Sequence, residues 1–334
     1  MKRLDHSPIR PLQPARLRVA AAALLATLAS PSFALTVYTA GPGGLIKQLA
    51  DDFKQSTGIA VQVFQADTGK VMARLEAEAS NPRADVVISA SWDSAADMDR
   101  RGWLLPYTSP NAANVPAAYK TPTYVAQGMS TLVLAWNPKS GTPRPSDWTD
   151  LNAPAYKDKV NMPDPSQSGT ALELVSGLHG QMGDGAWALL SDLRANGMVV
   201  AGANAQALNP VLQGAKAVVF GAVDYVVLGQ QARGESIEVI FPKSGTVIAP
   251  RPMMILKSSK AADDAKRFID FVLSDAGQAR VAATHLIPAR TDVPGKRPGL
   301  AEVRLFQPTG EAAKSPLSSA ETLKRFSTAL GGRH

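Results

Sequence analysis

Residues 35–58, LTVYTAGPGGLIKQLADDFKQSTG, predict a β-strand, a glycine-rich turn and an α-helix in succession. The first five residues are rich in strand-forming side chains, and a cluster of glycines and one proline follows them. Leu45, Leu49 and Phe53 then recur every four residues on one stripe of a helix. Gly58 is placed to end that helix. The backbone N–H groups at such a helix start favour an anion, although an ordinary strand-to-helix turn contains the same glycines.

The first 34 residues differ in character from the rest of the chain. Five basic residues precede the apolar run Val19–Ala29, and Ser32-Phe33-Ala34 suits a signal peptidase. We therefore expect residues 1–34 to be a cleaved signal peptide, with the cut after Ala34 and the mature protein in the periplasm. The alternative, an uncleaved membrane anchor, is disfavoured because the apolar run is too short to cross a bilayer.

Charge and cysteine content exclude two classes of function. The net charge is +7, but without the first 34 residues the chain holds 30 basic and 27 acidic side chains. No basic run is interleaved with aromatic residues, so we expect no nucleic-acid partner. The chain has no cysteine, which excludes a disulfide framework and thiolate chemistry.

Strand and helix patterns alternate along the mature chain, which predicts an α/β fold. Tyr124–Asn137 is a long apolar strand, and Thr246–Lys257 contains another whose two prolines suggest an edge or a crossover. Ala262–Leu273 has the pattern of an amphipathic helix, and a last helix is predicted near Ala320–Leu330. No internal repeat is present.

Several segments, in this order and spacing, resemble one known family. They are VYTAG, FKQSTGIAVQVF, TGKVMARLEAEASNPRADVVIS, RGWLLPY, PSQSGTAL, FPKSGT, AKRFIDFVLSDAGQARVA and IPARTDV. The chain resembles the periplasmic solute-binding proteins of ABC importers, in the type II branch that holds ferric-iron, phosphonate and sugar-phosphate binders. The resemblance covers nearly all of residues 35–293.

The resemblance implies two α/β lobes, joined by two crossover strands, with the ligand in the cleft between them. The crossovers are expected near Tyr124–Leu134 and Thr246–Leu256. The first lobe would then comprise residues 35–128 together with 247–334, which include the C-terminal helices. The second lobe would comprise residues 129–246.

Ligands of open α/β sheets bind beyond the carboxyl ends of the strands. Four such ends carry glycine or hydroxyl side chains and precede helices, and Asp224-Tyr225 begins another helix. Each Ser or Thr is also a possible helix cap, Trp92 can stack on a ligand or pack in the core, and Asp224 and Tyr225 can contact a ligand or cap their helix. The predicted ligand-binding residues are Thr39, Gly41, Gly43, Gly44, Thr68, Gly69, Ser89, Ser91, Trp92, Ser168, Gly169, Thr170, Asp224 and Tyr225.

Two ligands fit the resemblance. Iron-binding members of the family use paired tyrosines, often with an early histidine and an acid, because Fe³⁺ prefers hard oxygen ligands. Here Tyr225 stands without a second tyrosine, and His179 and His285 fall within or beside predicted helices. We therefore favour an organic phosphate or phosphonate, with Fe³⁺ bound through Tyr225 as the alternative.

The remaining expectations concern activity and partners. No G-x-S-x-G, zinc-binding spacing, G-x-G-x-x-G or Walker loop is present, so a periplasmic hydrolase is a remote alternative. We expect a monomer without cofactor or metal that delivers a small anion to an inner-membrane ABC permease. A signalling receptor is a further possible partner.

Overall fold

The computed structural model describes residues 34–295, 297–307 and 316–332. Residues 1–33 of the predicted signal peptide lie outside the described residues. Within these ranges, no helix has both the length and the apolar character that a membrane span requires.

The described chain alternates strands and helices, as the sequence predicts. The strands are β1 (Leu35–Thr39), β2 (Val61–Gln65), β3 (Val86–Ile88), β4 (Tyr124–Trp136), β5 (Val160–Met162), β6 (Val199–Val200), β7 (Val218–Val223), β8 (Glu238–Ile240), β9 (Ile248–Ile255) and β10 (Ile287–Pro288). The helices are α1 (Gly43–Thr57), α2 (Thr68–Ala77), α3 (Trp92–Arg100), α4 (Gly169–Met182), α5 (Gly185–Ala195), α6 (Asn204–Leu212), α7 (Asp224–Ala232), α8 (Ala262–Val272), α9 (Asp275–Ala283) and α10 (Ser319–Ala329).

The opening stretch folds as its pattern predicts. β1 is almost entirely buried and pairs in parallel with β2 and β3. The apolar stripe of α1 faces the core, where the Phe53 ring meets Phe268 edge-on at 5.3 Å. Gly58 ends the helix at φ 77°, a backbone conformation that glycine adopts without strain, and its N–H donates to the Lys54 carbonyl at 2.8 Å.

The strands follow the order β2-β1-β3-β9-β4-β7-β5-β6, with β8 and β10 also paired to β4. β4 and β9 run antiparallel at the centre. The first part of β4 pairs with β9, and its last residues, Leu132–Trp136, pair with β7. The far end of β9 pairs with β3. Both strands therefore pass from one half of the sheet to the other, which confirms the two predicted crossovers.

Separate cores form on the two sides of these crossovers. One contains Phe53, Ile88 and Phe268, and the other contains Leu174 and Phe220. Burying a large apolar side chain of this kind stabilises a fold by about 1.5–3 kcal/mol, so each half has its own source of stability. The predicted two-lobed α/β fold is confirmed.

One packing arrangement differs from the lobe division drawn from the sequence. Phe326 and Leu330 of the C-terminal helix α10 belong to the same core as Leu174 of α4 and Leu190 of α5. That helix therefore packs with the second lobe, whereas the sequence division grouped it with the first. The amphipathic pattern identifies the buried face of a helix but not its partner. The remaining boundaries, at residues 128/129 and 246/247, stay predictions.

Candidate functional site

The loops that follow β2, β3 and β5 meet where the two lobes face each other. The Gly69 N–H points to the Gln167 carbonyl at 3.5 Å, and a Cβ at Gly69 would lie 2.7 Å from the Ser166 carbonyl oxygen. A Cβ at Gly169 would lie 2.9 Å from the Ala90 carbonyl. Both predicted glycines therefore permit close contact between the lobes, and this arrangement, with the lobes in contact, is called the closed form below.

Four helix starts beside this boundary already carry a side-chain partner. Asp67 accepts from the Lys70 N–H at the start of α2, and Ser168 accepts from the Ala171 N–H at the start of α4. Asp224 accepts from the Tyr225 N–H at the start of α7. The start of α3 is capped from the other lobe, because Glu173 of α4 accepts from the Trp92 N–H at 2.8 Å. A capped helix start has fewer free donors for a ligand.

The start of α1 has no side-chain cap and no acidic residue in its first turn. Pro42 occupies the cap position, and Gly43 and Gly44 are the first helical residues. The Thr39 hydroxyl oxygen accepts from the Gly41 N–H at 2.9 Å, which shapes the loop. Among the described residues, no side chain therefore caps the first N–H groups of α1, and their contact with a ligand stays a prediction.

Arg251 of β9 lies against this loop, and the sequence reasoning missed it. Its side chain is 2% exposed, and Nη2 donates to the Ala40 carbonyl at 2.6 Å. Its Nε has no hydrogen-bond partner, and no carboxylate of the described residues lies within ion-pair distance. A buried cation without a counter-charge is costly, so the site has a charge that an anion would complete.

Tyr225 and Trp92 have different surroundings. The guanidinium of Arg251 lies 5.7 Å from the Tyr225 ring centre, which puts Tyr225 beside the same site. Tyr225 also packs against the cores of both lobes. The Trp92 ring packs against Tyr124 at 4.8 Å in an edge-on arrangement. Trp92 therefore packs against Tyr124 in this structure, and its stacking on a ligand stays a prediction.

Asp224 has a structural role in this closed form. Its side chain is fully buried and accepts from the Thr131 N–H at 2.6 Å and from the Thr131 hydroxyl. Nη1 of Arg297, also buried, lies 2.5 Å from the carboxylate. The predicted contact of Asp224 with a ligand amine or hydroxyl would require this pair to separate, and it stays a prediction.

Most of the predicted hydroxyl side chains already make hydrogen bonds within the protein. Ser89 accepts from the Ser91 N–H, and Ser91 donates to Glu173 at 3.1 Å. The Thr170 hydroxyl lies 3.0 Å from that of Ser168 and accepts from Asn204. Thr68 is half-buried, and its hydroxyl makes no hydrogen bond with any described residue. The Thr68 hydroxyl is therefore free to bind a ligand, and its predicted ligand contact stays a prediction.

Replacing Thr170 with valine should lower stability and leave ligand affinity unchanged. The substitution removes the hydroxyl from a buried network, which should cost about 1 kcal/mol in the free energy of unfolding. Thr68→Val is the matched comparison, because it should weaken ligand binding and leave stability nearly unchanged. Denaturant unfolding and isothermal titration of both variants measure the two effects. Weaker binding by Thr170→Val at normal stability would contradict this assignment.

No group of three or more His, Asp or Glu side chains suited to a metal occurs among residues 34–295, 297–307 and 316–332. The Arg251 charge beside Tyr225 also opposes a trivalent cation there. The choice between an oxyanion and iron stays a prediction.

Comparison with known proteins gives a consistent result. Residues 81–313 match the model of the bacterial extracellular solute-binding protein family. A putative 2-aminoethylphosphonate-binding periplasmic protein of Salmonella typhimurium is 26% identical over 293 residues, covering 83% of this chain and 86% of the relative. The major ferric iron-binding protein of Neisseria meningitidis is also 26% identical, over 291 residues, covering 80% and 84%.

A solved structure shares the fold. The periplasmic binding protein AfuA of Actinobacillus pleuropneumoniae, solved with fructose-6-phosphate bound, superposes with a TM-score of 0.81 at 22% identity and covers 89% of this chain and 98% of its own. The family match spans well over half of the sequence, and the fold agrees with it. The chain belongs to the bacterial extracellular solute-binding protein family.

Proposed function

We propose that this solute-binding protein captures a small organic oxyanion, a phosphonate or phosphate ester, in the periplasm and delivers it to an ABC permease. One observation carries the proposal, namely the buried guanidinium of Arg251 beside the uncapped start of α1. An arginine offers a rigid fork of donors that matches the geometry of phosphate oxygens. The helix start adds backbone donors and a favourable dipole.

The energetic argument follows from the missing counter-charge. Arg251 has one carbonyl acceptor, so its Nε and its positive charge remain without compensation among the described residues. An oxyanion between Arg251 and α1 would supply both the acceptor and the charge. A hydrogen bond to a charged group contributes about 1.5–3 kcal/mol, more than a hydrogen bond between neutral groups. Two such bonds, together with burial of the ligand in the cleft, are enough for micromolar binding.

The names of relatives support the ligand class. One relative is named for 2-aminoethylphosphonate, and AfuA was solved with fructose-6-phosphate. Both ligands present a tetrahedral oxyanion on an organic body. The ferric alternative also has a relative, but it would put a trivalent cation beside Arg251. We propose a monomer, exported by cleavage after Ala34, that binds its ligand without chemical turnover.

A ligand panel tests the proposal. At a hundredfold excess over the dissociation constant, a ligand should stabilise the protein by about 2.7 kcal/mol, which raises the melting temperature by roughly 5 °C. We expect this shift with 2-aminoethylphosphonate or fructose-6-phosphate and little shift with ferric citrate. A tight ferric complex whose visible band disappears in Tyr225→Phe would reverse the ranking. No shift with any oxyanion would overturn the proposed function.

A further inference from the structure

Glu173 connects the two lobes. It lies on α4, in the second lobe, and its Oε1 accepts from the Trp92 N–H at 2.8 Å and from the Ser91 hydroxyl at 3.1 Å. Ser91 and Trp92 lie at the end of β3 and the start of α3, in the first lobe. These bonds exist only while the lobes are in contact. Glu173 is therefore a side chain whose surroundings change when the cleft opens.

The surroundings of Glu173 in the closed form disfavour its negative charge. A cavity of about 540 Å³ adjoins it, lined by charged or titratable side chains from α3 (Asp93 and Arg100) and from α4 (His179). The C-terminal segment contributes only uncharged residues to this lining. Glu173 makes no ion pair with any described residue, and Asp93 repels its charge. The buried Ser176 and Thr322 hydroxyls beside the cavity also make no hydrogen bond with any described residue.

The Glu173 side chain is half-buried. Its removal from water, with a smaller contribution from Asp93, raises its pKa to about 7, against hydrogen bonds from the Trp92 N–H, the Ser91 hydroxyl and the Asp93 N–H, which lower it. Opening the lobes exposes the carboxyl to water, where its pKa returns to the ordinary glutamate value of about 4.3. The closed form therefore binds the proton more tightly than the open form. Raising the pH removes that proton and therefore favours the open form.

We propose that Glu173 is a latch between the lobes that takes up a proton when the cleft closes, so that the protein holds its ligand more tightly in acidic surroundings. This proposal rests on the oxyanion-binding function proposed above and adds its regulation. Affinity is greatest below the ordinary glutamate pKa, falls by at most about tenfold per pH unit as the pH rises toward 7, and stays low above it.

Glu173→Gln distinguishes a side chain that takes up a proton on closure from one that only connects the lobes. Glu173→Gln keeps an oxygen that accepts from the Trp92 N–H and is neutral at every pH. With 2-aminoethylphosphonate as the probe, isothermal titration near pH 6.5 in two buffers of different ionisation enthalpy counts the protons taken up. We expect wild type to take up more protons than Glu173→Gln, by up to one. The phosphonate itself titrates in this range, and the difference between the proteins removes that contribution.

The same variant should bind the probe at least about tenfold more tightly than wild type at pH 8. Glu238→Gln, at an exposed ion pair in the second lobe, is the matched control and should behave like wild type. His179→Gln controls for the histidine at the cavity and should keep the wild-type proton uptake. Equal uptake by wild type and Glu173→Gln, or weaker binding by Glu173→Gln at every pH, would overturn the latch.

A measurement without ligand makes the two proposals separable. Small-angle scattering should give the wild-type protein a smaller radius of gyration at pH 5 than at pH 8, and Glu173→Gln should show no such change. If no oxyanion binds but this difference is found, the proposed function fails and the latch stands. If oxyanions bind and the wild-type radius does not depend on pH, the latch is wrong. Asp93→Asn, which removes the repulsion, should move the change to lower pH.

Discussion

Arg251→Met should weaken oxyanion binding by more than a hundredfold while leaving the protein at least as stable as wild type. The binding loss follows because two charge-assisted hydrogen bonds, at about 1.5–3 kcal/mol each, disappear with the guanidinium. Stability is retained because the charge is buried without a carboxylate partner among the described residues, and an apolar side chain of similar length removes that cost.

Isothermal titration and denaturant unfolding of the same preparation measure both effects. Arg233 is an exposed arginine at the end of α7, and Arg233→Met is the matched control. It should change neither the dissociation constant nor the free energy of unfolding by much. Arg251→Lys keeps the charge but loses the fork of donors, so we expect intermediate affinity. Normal binding by Arg251→Met, or a loss of several kcal/mol in stability, would show that Arg251 is a structural residue.

Arg297→Met should, in contrast to Arg251→Met, lower the free energy of unfolding by about 3–5 kcal/mol. The substitution leaves Asp224 as a fully buried carboxylate whose nearest cation has been removed. Its bonds from Thr131 and Tyr225 do not replace that charge. Urea unfolding measures the change. The double variant Asp224→Asn/Arg297→Met should recover part of the loss, because no buried charge then remains.

Arg144→Met is the control for the Arg297 experiment. Arg144 also forms an ion pair, with Glu238 at 2.9 Å, but both side chains are exposed. Exposed pairs contribute little, so this variant should lose less than about 1 kcal/mol. Similar losses in Arg144→Met and Arg297→Met would mean that the buried pair does not anchor the site.

The sequence patterns predicted most of the fold because they report local geometry and burial. The alternation in Leu35–Thr39 and the stripe of Leu45, Leu49 and Phe53 correspond to β1 and α1 as observed. Both crossovers were expected from the resemblance to the family, and the long apolar run at Tyr124–Asn137 agrees with the first, since a strand buried on both faces has no polar alternation. The C-terminal helix α10 packs with the core that contains Leu174, whereas the sequence division grouped it with the first lobe, because packing depends on contacts distant in sequence.

The site was predicted only in outline. The glycine loop of α1 was predicted from the sequence, but Arg251 was not, because its contact with the Ala40 carbonyl joins residues 211 positions apart. A lone charge inside an otherwise apolar strand was the available signal. Glu173 stands in the same way among apolar residues of α4, and its partner Trp92 is 81 residues away. Such pairs become visible only when the chain is folded.

A crystal structure with 2-aminoethylphosphonate bound tests the central claim most directly, because it locates the anion. We predict phosphonate oxygens within hydrogen-bond distance of the Arg251 guanidinium and of the backbone N–H groups at the start of α1. A phosphonate held elsewhere, with Arg251 still bonded only to the Ala40 carbonyl, would contradict the account.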